Sequence, residues 1–285
     1  MKISEILKEK SEGVSFEFFP PKTEKGLEKL SEKAKDLAEY KPLYASMTCG
    51  AGGTTQVRTK DAVQTLLKDK NLTVMPHLTC IGIKKDLVNH LLDEYAEQGI
   101  ANIMALRGDI PEAGLDSDGL AHDFKYARDL VTLIKKHSNF DIGVAVYPEG
   151  HIETSSLEED LEYTKKKIDS GANFAVTQMF FDNDYYSKLL ERMQAKGITI
   201  PVLPGILPLT NLQKVREFAS ICRATIPEAV EKKIEPFCDS PEDMEKAGIE
   251  VTIAQCRDLK RRGFKKMHFF TLNRVSVMKQ ILDAI

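Results

Sequence analysis

The sequence predicts an α/β protein in which eight parallel strands close into a barrel. Eight short apolar runs, rich in β-branched and aromatic residues, follow one another along the 285-residue chain, and a helical segment comes after each. A polar residue, or in one case a Pro-Gly corner, lies at or just past the end of each run. Strands that alternate with helices form parallel βαβ units, and eight such units, about 250 residues in all, form a (β/α)8 TIM barrel. In this fold the active site lies at the C-terminal ends of the strands.

The strand predictions rest on the length of the apolar runs and on side-chain alternation. In the first strand, alternation places Phe16 and Phe18 on the face toward the outer helices. It places Ser15 and Glu17 on the face toward the barrel interior. The predicted strands are residues 14–19, 43–48, 73–79, 102–106, 141–147, 173–179, 201–206 and 266–271.

The helix predictions rest on 3.6-residue periodicity and on capping residues. The segment 85–98 carries its apolar residues on one stripe and ends before Gly99, a favourable residue after a helix C-terminus. Ser156 and Glu159 have the spacing of a capping box. Thr23 can cap the helix over 24–38, because its side chain can accept from a free backbone N–H.

Two segments lie outside the regular alternation. A helix over 3–10 precedes the first strand, and residues 226–248 are predicted to form a helical insertion between the seventh and eighth strands, over one edge of the barrel mouth. With both segments included, residues 1–285 are expected to form a single barrel domain.

Composition excludes several classes of function. A hydrophobic content of 42% and a charged content of 29% are typical of soluble globular proteins. The net charge of −3 gives no indication of binding to nucleic acid or to an anionic membrane. No apolar stretch approaches the ~18 residues of a membrane span. The five cysteines lack the spacing of a metal site, so no metal is predicted, and they suit a reducing cytoplasm.

Glu17 is the strongest candidate for a catalytic residue. It lies in a strand among three phenylalanines, where desolvation makes an ionised carboxylate costly. A carboxyl group that keeps its proton near neutral pH can act as a general acid. The alternative is a structural ion pair with a lysine or arginine inside the barrel.

Polar residues after other strands are weaker candidates. Residues 107–109 form an Arg-Gly-Asp corner after the fourth strand, where an exposed turn is the alternative. The glycine-rich loop 48–55 could contact phosphate or ribose through backbone N–H groups, or could be a flexible connector. His77 and His151 lie near strand ends, where a structural hydrogen bond is the more common role. Lysines 165–167 could form a basic rim or a solvated helix face.

Several motifs occur in an order that is known in one family. On these motifs the chain resembles bacterial methylenetetrahydrofolate reductase, a family of FAD-containing barrels that produce 5-methyltetrahydrofolate. The resemblance covers nearly the whole chain. The motifs are SFEFFPP at 15–21, PHLTC at 76–80, ALRGD at 105–109, YPEGH at 147–151, GAN at 171–173 with TQ at 177–178, PGI at 204–206 and HFFTLNR at 268–274.

The resemblance implies that FAD lies across the barrel mouth. Tyr163 stands where the family commonly has an asparagine that contacts the cofactor, and it is included among the expected contacts. The other positions that match FAD contacts of the family are Thr48, Ala51, His77, Arg107, Gly108, Asp109, Tyr126, Tyr147, His151, Asp160, Lys166 and Lys167.

The resemblance also implies a substrate site and a reaction sequence. Glu17 and Asp109 match the catalytic positions, and together with Gln178, Phe218 and Arg274 they match positions that bind the folate. For Phe218, a place in the core is equally consistent with the sequence. NAD(P)H would reduce the flavin and leave, and methylenetetrahydrofolate would then bind to the same flavin face, which gives a ping-pong reaction.

Two other classes of function remain open at this stage. One is a flavin-free barrel, either a lyase or a folate-dependent methyltransferase, that uses Glu17 and Asp109. The other is a folate- or flavin-binding subunit of a larger complex. The choice between NADH and NADPH, the formation of a homo-oligomer and the need for a partner subunit are also open.

Overall fold

A computed structural model describes residues 1–49, 53–109 and 123–285, with the backbone alone for residues 53–57. The strands are β1 (Gly13–Phe18), β2 (Ala45–Met47), β3 (Val74–Thr79), β4 (Asn102–Leu106), β5 (Asp141–Val146), β6 (Phe174–Thr177), β7 (Val202–Leu203), β8 (Gly205–Ile206) and β9 (Lys266–Phe270). The helices are α1 (Ile3–Glu9), α2 (Glu24–Ala38), α3 (Gly53–Leu66), α4 (Lys85–Glu97), α5 (Ala127–His137), α6 (Leu157–Asp169), α7 (Asn183–Ala195), α8 (Leu212–Cys222), α9 (Glu228–Ile234), α10 (Pro241–Arg261) and α11 (Val275–Leu282), and a 3-10 turn covers Glu235–Phe237.

The described strands form one parallel sheet, which confirms the predicted barrel. Their order is β7-β6-β5-β4-β3-β2-β1-β9-β8. The two edge strands, β7 and β8, are consecutive in the chain and are separated by Pro204 alone. The sheet therefore wraps around until its two edges are joined by a single residue.

The predicted seventh strand is the one place where the strand count was wrong. Residues 201–206 form two short strands, because Pro204 has no N–H to donate to a ladder. β7 pairs with β6, and β8 pairs with β9. One predicted strand thus contacts both of its neighbours through different halves, and the barrel closes at this bend.

The alternation predicted for β1 is observed. Phe16 and Phe18 pack with residues of α2 and α3 in the layer between the sheet and the helices. Ser15 is fully buried and Glu17 is 7% exposed, and both belong to the opposite face. Glu17 lies in register with Ser46 of β2 and Phe270 of β9, near the C-terminal end of the strand.

Helix α1 closes the opposite end of the barrel. Its apolar residues Ile3, Ile6 and Leu7 pack with Tyr44 and other interior side chains. Its first turn is fixed by two buried residues at the starts of strands: Asn102 accepts from the Ile3 N–H at 2.8 Å, and Asp141 accepts from the Ser4 N–H at 2.6 Å. Because these contacts lie at the N-terminal ends of β4 and β5, the C-terminal ends are left for a site.

The helical insertion predicted at residues 226–248, between the last two strands, is present within a longer helical segment. It comprises α8, α9, the 3-10 turn and α10. Apolar side chains of α8 and α9 pack on Met179, Leu207 and Leu272, which lie just past the ends of β6, β8 and β9. The insertion therefore covers one side of the barrel mouth. In the part of the chain that the structure describes, no helix has the length and apolar character needed to cross a membrane.

Candidate active site

Glu17 lies between two buried histidines from other strands. His77 of β3 places Nε2 at 3.5 Å from the Glu17 carboxylate, and His268 of β9 places Nε2 at 3.6 Å from the same oxygen. Neither nitrogen has a hydrogen-bond partner among the described residues. Burial, reinforced by His268 and opposed by Glu17, lowers the pKa of His77 below its ordinary value, so its imidazole is neutral near pH 7.

The orientation of His268 is fixed by a second set of buried residues. Its Nδ1 is 2.9 Å from Ser15 Oγ, and Ser15 Oγ in turn donates to the backbone oxygen of Met267 at 3.4 Å. Tyr44 stacks on the imidazole with ring centroids 5.5 Å apart. If Ser15 donates to Met267, it accepts from Nδ1–H of His268, and Nε2 then presents a lone pair to Glu17. An imidazole nitrogen from each of two strands thus faces the Glu17 carboxyl group.

A cavity of about 290 Å³ opens between the ends of β4 and β5 and the N-terminal parts of α5 and α6. Glu17 is not among its described lining residues, so the cavity and the carboxyl group form two parts of the mouth. The predicted cofactor residues that line it are Arg107, Tyr126, Tyr147, His151, Asp160, Tyr163 and Lys167.

The cavity combines aromatic faces with cations. The rings of Tyr126 and Tyr163 lie 5.9 Å apart and are tilted by 30°. The guanidinium of Arg128 lies 4.9 Å from the ring centre of Tyr126, and the ammonium of Lys166 lies 5.1 Å from that of Tyr163. Such a surface suits a ligand with a planar ring system and negative charge.

Lys167 is a half-buried cation of this cavity. Its ammonium donates to the backbone oxygen of Ala145 at 2.5 Å and lies 5.7 Å from the ring centre of Tyr147. Burial lowers the pKa of Lys167 to about 8, against the opposing charge of Asp160. Of the predicted basic rim, only Lys167 lines the cavity. Lys165 pairs with Asp169 at 2.9 Å instead.

Arg107 is engaged by a partner that the sequence did not indicate. Its guanidinium forms a bidentate ion pair with Glu153, with Nη1 at 2.6 Å from Oε2. Both residues line the cavity. An anionic ligand at this position would have to compete with the Glu153 carboxylate for Arg107.

The loop after β5 shapes one wall of the cavity. Tyr147 and His151 meet edge to face at 4.8 Å, and the His151 N–H donates to buried Asp160 at 3.1 Å. Burial and the nearby Arg107 lower the pKa of His151, so its imidazole is neutral at physiological pH. The capping box predicted for α6 is partly present: Ser156 Oγ accepts from the Glu159 N–H at 3.1 Å, while Glu159 accepts from Ser155.

The remaining predicted residues that the structure describes lie outside the cavity lining, most of them at strand ends. Thr48 follows β2, His77 is in β3, and Gly108 with Asp109 follows β4. Lys166 is exposed on α6. Ala51 lies outside the described residues, as does part of the glycine-rich loop.

The five predicted folate-binding residues lie in or next to five different elements. Gln178 directly follows β6, and its side-chain oxygen accepts from the Met179 N–H at 2.9 Å. Arg274 precedes α11 and pairs with Glu245 of α10. Phe218 is 41% exposed on α8, so the alternative of a core position for it was wrong. Glu17 and Gln178 both lie at the C-terminal ends of their strands.

Two residues of the site were missed from the sequence. His268 lies on an apolar strand at an inward position, the signal that identified Glu17, and the same test would have found it. Glu153 lies in an exposed loop, and nothing in the local sequence connects it with Arg107, which is 46 residues away.

Comparison with known proteins decides the family. The family model for methylenetetrahydrofolate reductase matches residues 2–285. The chain belongs to this family. The resemblance predicted from the motifs is thereby confirmed.

Curated relatives agree with this assignment, and a solved structure shares the fold. The chain is 38% identical over 272 residues to 5,10-methylenetetrahydrofolate reductase of Pectobacterium carotovorum subsp. carotovorum, covering 95% of this chain and 89% of that protein. It is 37% identical to the enzyme of Escherichia coli, covering 95% and 90%. A Clostridium thermocellum protein, described as binding two copies of 5-methyl-5,6,7,8-tetrahydrofolic acid, shares the fold with a TM-score of 0.64 and 15% identity, covering 98% of this chain and 96% of that one.

Proposed function

We propose that this protein reduces 5,10-methylenetetrahydrofolate to 5-methyltetrahydrofolate with electrons from NAD(P)H, through FAD. Its membership of the methylenetetrahydrofolate reductase family supports the reaction class. The observation that carries the mechanism is the burial of Glu17, 7% exposed, beside two histidines at the barrel mouth.

FAD, when bound, supplies a hydride carrier between the nicotinamide and the folate. The residues of the cavity fit such a group. Arg107 and Lys167 offer cationic hydrogen bonds to a pyrophosphate, and Tyr126 with Tyr163 offers ring faces to an aromatic base. A cavity of about 290 Å³ lies at the lower end of the range for ligand sites, so it would hold part of a dinucleotide whose remainder extends across the mouth.

Glu17 has the position of the general acid. The five-membered ring of the substrate opens when one ring nitrogen takes a proton and its bond to the methylene carbon breaks. The resulting cationic iminium carbon accepts a hydride and becomes the methyl group. Glu17 gives the proton, and His268, held by Ser15, packs beside the carboxyl group with Nε2 at 3.6 Å.

The other predicted folate-binding residues take positioning roles in this proposal. Asp109, with its negative charge at the end of β4, would favour the cationic folate intermediate. The amide nitrogen of Gln178 would donate to the pterin, because its oxygen already accepts from Met179. The exposed ring of Phe218 would stack on a ligand ring, and Arg274 would bind the anionic tail.

A flavin test separates this function from the alternatives. Purified protein should bind FAD, lose its flavin absorbance on addition of NAD(P)H and regain it on addition of methylenetetrahydrofolate. Protein that cannot be reconstituted with FAD would favour a lyase or methyltransferase. Protein that binds FAD but is not reduced by nicotinamides would favour a subunit of a larger complex. The use of NAD(P)H also suits a cytoplasmic location.

The variant Glu17→Gln tests the acid role. Glutamine keeps the size of the side chain and removes the proton donor, so reduction of bound FAD by NAD(P)H should stay within about twofold, while oxidation by methylenetetrahydrofolate should fall by about 10²–10⁴-fold. Stopped-flow absorbance measures the two half-reactions separately.

The matched control for this experiment is Glu12→Gln, an exposed carboxylate just before the same strand. It should leave both half-reactions unchanged. An equal loss in both half-reactions of Glu17→Gln would contradict the acid role.

A further inference from the structure

The loop after β5 is tied to the C-terminal end of α8. Arg223 is the residue that follows α8, and its Nη1 donates to the backbone oxygens of Thr154 at 3.0 Å and His151 at 3.3 Å. The loop that receives these bonds, residues 148–156, lines the cavity through His151, Glu153 and Thr154. Arg223 therefore connects a wall of the proposed flavin site to a helix outside it.

The backbone of Arg223 indicates that this side chain serves a purpose. Its φ of 56° and ψ of 34° place it in the left-handed region, where a helix usually ends in glycine. A residue with a Cβ has a higher free energy in this conformation than glycine has. Arginine at this position accepts that cost, and its two hydrogen bonds to the loop offset it.

Two further contacts hold the same loop. Both carboxylate oxygens of Glu149 accept from the Thr225 N–H, at 2.9 and 3.1 Å, two residues beyond Arg223. Arg192 of α7 donates to the backbone oxygen of Pro148 at 3.0 Å. Arg223 donates from the end of α8 to the loop, and Glu149 accepts at the loop from the segment after α8. Together the two contacts fix the position and the orientation of loop 148–156 relative to the end of α8.

The helix end that is tied in this way belongs to the other part of the mouth. Cys222, next to Arg223, lies in the field of Asp109: burial, and to a smaller extent the charge of Asp109, raises the pKa of its thiol. Phe218 lies one turn earlier on the same helix. Loop 148–156 thus lies in the cofactor part of the mouth, and α8 carries Phe218, a predicted folate-binding residue.

We infer that Arg223, supported by Glu149, is a positioning residue that couples the flavin-binding loop to the helix that carries Phe218. The inference rests on the proposed function, because it assigns loop 148–156 to the cofactor and α8 to the substrate. When a dinucleotide orders loop 148–156, the tie also orders the end of α8. The helix is thereby prepared for the folate that binds next.

The test is hydrogen–deuterium exchange with FAD as the probe. In the wild-type protein, FAD should slow exchange in residues 148–160 directly, and also in residues 212–225, which lie outside the cavity lining among the described residues. In Arg223→Gly, FAD should still slow exchange at residues 148–160. Its protection of residues 212–225 should fall by at least about threefold, on the scale of hydrogen bonds to a charged group.

Arg223→Gly is the sharpest variant because glycine relieves the left-handed strain while the tie is lost. Its melting temperature should therefore stay within about 4 °C of the wild-type value. Arg223→Lys keeps the charge and the strain and should retain part of the protection at 212–225. Glu149→Ala removes the second contact from the loop side and should also reduce that protection.

The outcomes separate the inference from the proposed function. If the wild-type protein binds no FAD, the proposed function and the inference both fail. If FAD binds and Arg223→Gly leaves the protection at 212–225 at the wild-type level, the inference alone is overturned. The last outcome is that Arg223→Gly speeds exchange at residues 212–225 relative to the wild type by the same factor without FAD and with FAD. Arg223 is then only a helix cap, and the coupling is again refuted.

Discussion

Lys167 is the cavity cation whose charge changes within an accessible pH range. Its pKa is lowered to about 8, chiefly by burial, so the ammonium is charged at pH 7 and largely neutral at pH 9.5. His151, whose pKa is also lowered by burial, stays neutral across this range. Affinity for FAD should therefore be constant below about pH 7 and should fall as pH rises through 8, by roughly three- to tenfold. Titration of the apoprotein with FAD from pH 6.5 to 9.5 measures this change.

Variants of two lysines of α6 test whether Lys167 causes the pH dependence of FAD affinity. Lys167→Met should bind FAD weakly at every pH and lose most of the dependence. Lys165→Met should behave as the wild type, because Lys165 pairs with Asp169 and is not a lining residue of the cavity. An unchanged pH profile in Lys167→Met would show that a different group titrates.

At the scale of elements, α10 packs unusually closely against the segment after β8. A Cβ added at Gly248 would lie 1.5 Å from the backbone oxygen of Leu209. Thr252, one turn later, accepts from the Leu209 N–H at 3.2 Å and donates to the Gly248 oxygen at 2.8 Å. The insertion is therefore seated on the barrel through backbone contact, which only a residue without a side chain permits.

Gly248→Ala should reverse the usual effect of alanine in a helix. In an exposed helix interior this change stabilises by about 1 kcal/mol, but here the helix has to move away from Leu209. We expect a net loss of about 1–3 kcal/mol in the free energy of unfolding, measured by urea denaturation. Glu250→Ala, an exposed position on the same helix, should change it by less than about 0.5 kcal/mol. A stabilised Gly248→Ala protein would mean that α10 does not approach Leu209 closely in solution.

At the scale of the whole molecule, the two ends of the barrel have different tasks. Helix α1 closes the N-terminal end with an apolar plug, and the C-terminal end holds Glu17, the cavity and the insertion. Asp141 is 1% exposed, and its two oxygens accept from the Ser4 N–H at 2.6 Å and from Ser4 Oγ at 2.8 Å. The plug is thus held by a buried carboxylate far from the proposed chemistry.

Asp141→Asn should lower stability without changing the reaction. Asparagine has one oxygen where two are needed, so a buried donor of Ser4 loses its partner, at a cost of about 1–3 kcal/mol in thermal or urea unfolding. Asn139→Ala is the control, since exposed Asn139 accepts from Lys2 at 2.8 Å in the same region. At a temperature where the wild type and both variants are folded, their affinities for FAD should be equal. A marked loss of FAD affinity in Asp141→Asn would contradict the separate roles of the two barrel ends.

The sequence by itself determined the strand order, the inward position of Glu17 and the placing of Arg107 and Asp109 at a strand end. The strand order follows from the alternation of strands with helices along the chain. The two site positions follow from side-chain alternation within a strand and from the ends of the apolar runs. The motifs also identified the family, although the proline that splits residues 201–206 into two strands was not recognised as the point of closure.

Only the tertiary structure decided which side chains meet. His77 and His268 lie on opposite sides of Glu17 because β3 and β9 are brought near β1 when the sheet closes. The pairing of Arg107 with Glu153, and the reach of Arg223 to residues 151 and 154, depend on loops whose paths no local pattern specifies. The physical reason is that alternation fixes the face on which a side chain lies, whereas the distance between residues far apart in the chain is set by the closure of the barrel and the packing of its loops.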